Sequence, residues 1–143
     1  MSLRPARREE RWLIVRRILR EGLDPTKLDW RRFVMAEGPG GAILGFAQMK
    51  NLGEGVQEFG SLVVEPRNRG QGIGAALIAH FLAEFPRPVY LLCGVYNVRY
   101  YRRFGFRRLK EADEMPAPLR RKWQTGRFFA RLFKADVAAM VME

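Results

Sequence analysis

The sequence predicts an α/β (α+β) fold: a mixed central sheet of about six to seven strands with helices on both faces. Three observations carry the prediction. Apolar strand segments follow one another through residues 33–64, separated only by glycine-rich turns, and give three consecutive antiparallel strands. The order strand, helix, strand across residues 56–93 then requires a parallel pair joined by a crossover. Amphipathic helical patterns near both ends supply the covering layers.

In chain order, Leu3-Arg4-Pro5-Ala6 reads as a short opening strand. Residues 8–20 place apolar side chains at 12, 15, 18 and 19 with arginines between them, an amphipathic helix. Asp24-Pro25 marks a turn, and a second short helix is expected around 26–32. Strands follow at 33–37 and 43–49 across Gly38-Pro39-Gly40-Gly41, then at 56–64 after Gly53-Glu54-Gly55. The segment 73–85 is apolar around most of its circumference, as expected of a helix packed firmly on a sheet. Strand 89–93, a short helix at 98–103 and extended structure at 104–109 come next. A helix with Leu119, Trp123, Ala130 and Phe133 in its pattern begins after Pro116 and Pro118, and residues 137–142 form a last strand. The chain is expected to be one domain, 1–143, with an added helical stretch at about 111–134.

With 48% hydrophobic and 29% charged residues, the composition is that of a water-soluble globular domain, and no apolar run reaches the ~20 residues of a membrane span. No secretory leader pattern opens the chain, so a cytoplasmic location and no membrane partner are expected. One cysteine, Cys93, excludes an internal disulfide, and one histidine, His80, excludes sites that need two; no metal is expected. The net charge of +11 is concentrated in residues 1–32, with ten basic against five acidic residues, and 99–134, with twelve against three. Such a surface attracts polyanions, yet the arginines lie on helical faces and no nucleic-acid motif is present, so nucleic acid is a disfavoured partner.

The most informative stretch is the strand 61–64 followed by Glu65-Pro66-Arg67-Asn68-Arg69-Gly70-Gln71-Gly72-Ile73-Gly74-Ala75. Glycines at 70, 72 and 74 let successive N–H groups approach an anion at the positive end of the following helix. A dinucleotide fingerprint should open directly from its strand and lead to a strand ending in a carboxylate, whereas five residues intervene here and residues 89–94 carry no acid. A nucleoside-triphosphate loop needs Lys and then Ser or Thr where Ala75-Ala76 stand.

The segment resembles motif A of the GNAT superfamily of acyl-CoA-dependent N-acetyltransferases: an apolar strand, V-x-P at Val64-Glu65-Pro66, then Q/R-x-x-G-x-G/A at Arg69 to Gly74. Residues 97–106 resemble its motif B, with Asn97 and then Y-x-x-x-G-F at Tyr101 to Phe106; Asn97 stands four residues before Tyr101, where many members have about seven. The resemblance implies a GNAT fold and transfer of an acetyl group from acetyl-CoA to a primary amine of a small molecule or protein, directly in a ternary complex. It assigns coenzyme A contacts to Leu62, Val63, Val64, Arg69, Gly70, Gln71, Gly72, Ile73, Gly74, Ala75, Asn97 and Tyr101. The alternative is a non-catalytic acyl-CoA sensor or a polyanion-binding module on the same fold. A monomer or a homodimer fits either reading.

Attack on a thioester needs a neutral amine, and deprotonating a lysine-like amine at neutral pH costs about 4 to 5 kcal/mol. Glu58, eleven residues before Arg69, is the candidate general base, at a position where some family members carry a glutamate. By the same resemblance Tyr101 is the general acid for the leaving thiolate. Gly60 is expected to mark a bulge in strand 56–64. Cys93, in an apolar run, is expected to be a structural thiol. Substrate choice is expected in the first helices and the 111–134 stretch, with Trp12, Trp30 and Trp123 as candidate pocket walls.

Overall fold

A computed structural model describes residues 1–143. Seven strands form one sheet in the order β1-β2-β3-β4-β5-β7-β6. They are β1 (Ser2–Pro5), β2 (Phe33–Glu37), β3 (Ile43–Gly53), β4 (Val56–Val64), β5 (Val89–Gly94), β6 (Arg107–Leu109) and β7 (Val137–Met142). The helices are α1 (Arg11–Arg20), α2 (Ile73–Glu84), α3 (Val98–Arg102) and α4 (Ala117–Leu132). None is long and apolar enough to cross a membrane. β1 with β2, β2 with β3, β5 with β7 and β6 with β7 are antiparallel, while β4 and β5 run parallel with Glu58 opposite Tyr90. This is the mixed sheet that the crossover order predicts. By contact density the chain divides into two compact units, Met1–Lys50 with Phe59–Glu84 and Asn51–Glu58 with Phe85–Glu143.

In the first unit, Ile14 and Ile18 of α1 pack with Phe33, Met35, Phe46 and Val63 on one face of the strands. Gly45, one residue from Phe46 and so on the opposite face, lies against Ile73 of α2. A Cβ on Gly45 would stand 2.6 Å from the carbonyl oxygen of Val63, so only glycine lets β3 approach the end of β4 this closely. The buried stripe of α1 is thus Ile14 and Ile18; Trp12 and Leu19, expected on the apolar face, are exposed. The short helix expected at 26–32 is a single 3-10 turn, Trp30–Arg32. The carboxylates of Asp24 and Asp29 accept from the N–H groups two residues on, at Thr26 and Arg31, and these local turns compete with a helix.

β4 is irregular at one residue, and that residue is not the expected one. Ser61 holds a left-handed φ of 55°, whereas Gly60 does not. The buried Gln48 donates from Nε2 to Ser61 Oγ at 2.8 Å, a bond to a side chain that glycine lacks. The twist breaks the alternation along β4, so Phe59 packs edge-to-face on Phe81 of α2 while Val63 joins the α1 cluster.

In the second unit, Leu119 and Trp123 of α4 pack with Leu52, Val56, Leu109, Met115, Ala139 and Val141. Trp123 Nε1–H donates to Val137 O at 3.0 Å, so the indole is fully used in the core. The expected inward pattern of α4 ends there: Phe133 is exposed and lies beyond the helix. Pro118 sits within the first turn, where its missing N–H costs nothing. Residues 104–106, expected as strand, cap α3 instead. Phe104 N–H and Phe106 N–H donate to Tyr101 O, and Gly105, at φ 104°, turns the chain into β6.

Candidate functional site

The glycine turn lies wholly in the first unit. β4 ends at Val64, a 3-10 turn spans Pro66–Asn68, and α2 begins at Ile73. Ala76 N–H makes the bond to Gly72 O at 3.0 Å that starts the helix, so the N–H groups of the first turn before it have no acceptor within α2. Gly70 and Gly72 hold φ values of 79° and 83°, and no atom lies within 4 Å of where their Cβ atoms would stand. Unbonded donors, the positive end of a 12-residue helix and open space left by missing side chains make a cradle for an anion. Gly74 differs from its neighbours, being buried within α2.

Arg69 serves the frame of this turn. Its Nε donates to Val64 O at 3.1 Å and its guanidinium pairs with Glu21, tying the strand end to the chain after α1. Glu65 is clasped by Arg17 at 3.0 Å and Arg20 at 3.3 Å. Arg67, in contrast, is exposed at the turn. Leu62 and Val64 are half-buried, and Val63 is a core residue.

The candidate acid and base lie in the second unit. Tyr101 packs edge-to-face on Phe106 and Tyr100, and burial pushes its phenol well above the ordinary tyrosine value, with smaller contributions from Cys93 and Tyr100. At neutral pH it therefore holds its proton. Burial likewise pushes the Cys93 thiol up to about 11, which leaves it protonated and a poor nucleophile, in line with the structural reading. Glu58 is 3% exposed, and Lys122 Nζ of α4 donates to its Oε1 at 2.5 Å. Asn97 is exposed at the start of α3 and makes no capping bond with its side chain.

Sequence reasoning missed Lys122, and it missed Gln48 and Lys50, both buried on β3. Lys50 reaches Asp24 and Thr26 O, each at 3.3 Å. The signal was present: Phe46, Gln48 and Lys50 alternate on one strand face, and Lys122 adjoins the inward Trp123. Of the three tryptophans proposed as pocket walls, Trp12 and Trp30 line one crevice of about 160 Å³ with Ile14, Leu28 and Phe33 in the first unit. Trp123 is a core residue.

Comparison with known families matches residues 29–108, more than half of the chain, to the acetyltransferase (GNAT) domain. Comparison with curated protein sequences gives no match. Among solved structures, the chain is similar to N-acetylglutamate synthase from Neisseria gonorrhoeae complexed with coenzyme A and N-acetyl-glutamate, with 20% identity and a TM-score of 0.76 over 99% of this chain. It spans only 35% of that synthase. Rv2747 from Mycobacterium tuberculosis, solved with CoA and a second ligand, gives 17% identity and a TM-score of 0.77 over 99% of this chain and 98% of its own. ElaA from Escherichia coli gives 15% identity and a TM-score of 0.68, covering 99% of each chain. At these identities the structural likeness establishes the fold, the family match covers the segment that holds both motifs, and the chain belongs to the GNAT acetyltransferase family.

Proposed function

We propose that residues 1–143 are one acetyltransferase domain that moves the acetyl group of acetyl-CoA to a primary amine of a small molecule or a protein by direct attack. The observation that carries this reading is the turn before α2, where two left-handed glycines open onto unbonded N–H groups in a chain of the GNAT family. The backbone from Gly70 to Ala75 would hold the pyrophosphate, with Arg67 adding positive charge. Tyr101 gives its proton to the sulfur as the C–S bond breaks, its phenol being protonated at neutral pH. Glu58 takes the proton released as the amine nitrogen bonds to the carbonyl carbon. Structures of similar fold solved with CoA support the donor.

A second reading is favoured by one contact. Glu58 is engaged by Lys122, as expected of a fold that binds acetyl-CoA without turning it over. Two measurements separate the readings. Acetyl-CoA and free CoA should raise the melting temperature in either case, and no shift with either would remove the donor assignment. A catalyst should also release CoA thiol with some amine in a broad panel and lose about 10²-fold or more of that rate in Tyr101→Phe. Stabilisation with no thiol release across the panel would establish the sensor.

A further inference from the structure

The end of α4 carries side chains that the core does not use. Phe128, Phe129, Leu132 and Phe133 are 64%, 56%, 65% and 83% exposed. Phe128 stands nine residues after the fully buried Leu119, half a turn away on the helix, so it points directly outward. Leu132 follows it at i+4, Phe129 is adjacent to it and Phe133 caps the end of the helix, so four large apolar side chains are exposed within the short stretch 128–133. Phe128 and Phe129 meet edge-to-face at 5.4 Å. Large apolar side chains gathered in this way mark an interaction surface.

The charge on the helix that carries the cluster is of one sign. Residues 117–135 contain six basic side chains and no acid. Lys122 is engaged by Glu58, and Arg127 by Asp136 and the face of Trp123. Arg121, Arg131 and Lys134 are exposed on the same stretch of chain, Arg131 also lying 3.8 Å from Asp136. A second copy of this chain would bring the same cations against them, in a molecule of net charge +11. The cluster also projects rather than forming a groove, which suits a deformable, negatively charged surface better than a rigid pocket.

We propose that residues 128–134 dock on an anionic lipid surface, with the three phenylalanines and Leu132 entering the interface and Arg121, Arg131 and Lys134 meeting the headgroups. The sequence leads to an expectation of no membrane partner, but surface docking needs neither a leader nor a spanning segment. The proposal does not depend on the acetyltransferase reading.

Co-sedimentation of the full chain with phosphatidylcholine vesicles, with and without about 30 mol% phosphatidylserine, tests it. Partitioning should be at least about tenfold stronger on the anionic vesicles and fall about tenfold or more in Phe128→Ser/Phe133→Ser and in Arg121→Glu/Lys134→Glu. Both variants should keep the wild-type melting temperature, because the altered side chains are exposed. Absence of anionic-vesicle binding would overturn the proposal, as would binding that survives loss of the phenylalanines. A dimer in sedimentation equilibrium, or single-stranded DNA binding, that these variants abolish while vesicle binding is absent would also overturn it and assign the patch to a second copy or to nucleic acid.

Discussion

Two glycines show how single atoms divide structure from function. At Gly45 a Cβ would meet the Val63 backbone, which cannot move without displacing the end of β4. Gly45→Ala should therefore lower stability by about 1–3 kcal/mol in thermal or urea unfolding. At Gly72 the same atom meets nothing, and the obstacle is the left-handed φ of 83°. Gly72→Ala should cost only about 1–2 kcal/mol of strain, yet weaken acetyl-CoA binding about tenfold or more by calorimetry as the added methyl enters the cradle. The pair Glu58 and Lys122 makes a third case. Removing the ammonium in Lys122→Met leaves a buried carboxylate without its closest cation and should cost about 1–3 kcal/mol, while Lys122→Arg should retain most of the stability. Motif residues such as Gly72 and Tyr101 are legible in the sequence because local spacing sets their geometry. Lys122 is not, because its partner lies 64 residues away.

At the scale of elements, α2, the crossover and most strands follow from patterns within each segment and form within about one residue of the expected bounds, whereas β3 runs on to Gly53 and β6 begins only at Arg107. The misplaced ones are those in which a local side-chain bond or the end of a helix decides. Asp24 and Asp29 hold turns where a helix is expected, and Ser61 takes the strained place expected of Gly60 because Gln48 bonds its hydroxyl. The opening of the chain offers a pH test of one such contact. Arg4 of β1 binds Glu10 through both carboxylate oxygens, at 2.9 and 2.8 Å, and Glu37 at 2.5 Å. The bond from Arg4 holds the Glu10 carboxyl below its ordinary value against the opposing effect of burial, with a further bond from Arg7 N–H. A depressed folded value means stability present above the unfolded value, about pH 4.3, and lost as pH falls through the folded one. Glu10→Gln should cost about 1 kcal/mol at pH 7, and the gap from wild type in melting temperature should close below about pH 4.

For the whole molecule, charge is the dominant property. A net +11 draws in a ligand that carries several phosphates, and the attraction is screened by salt. Raising sodium chloride from about 50 to about 500 mM should weaken acetyl-CoA binding several-fold by calorimetry, with a smaller effect on a neutral pantetheine fragment. The sequence by itself determined the fold class, the family resemblance and the place of the glycine turn before α2, because strand alternation, helix periodicity and glycine spacing act within a few residues of one another. Only the tertiary structure decided that Arg69 braces Val64 and Glu21, that Lys122 engages Glu58, that Trp123 belongs to the core, and that Phe128, Phe129 and Phe133 face water. Each of these depends on which distant segment arrives beside a side chain. An apolar or charged residue carries no local record of whether that neighbour is solvent, a core or an opposite charge.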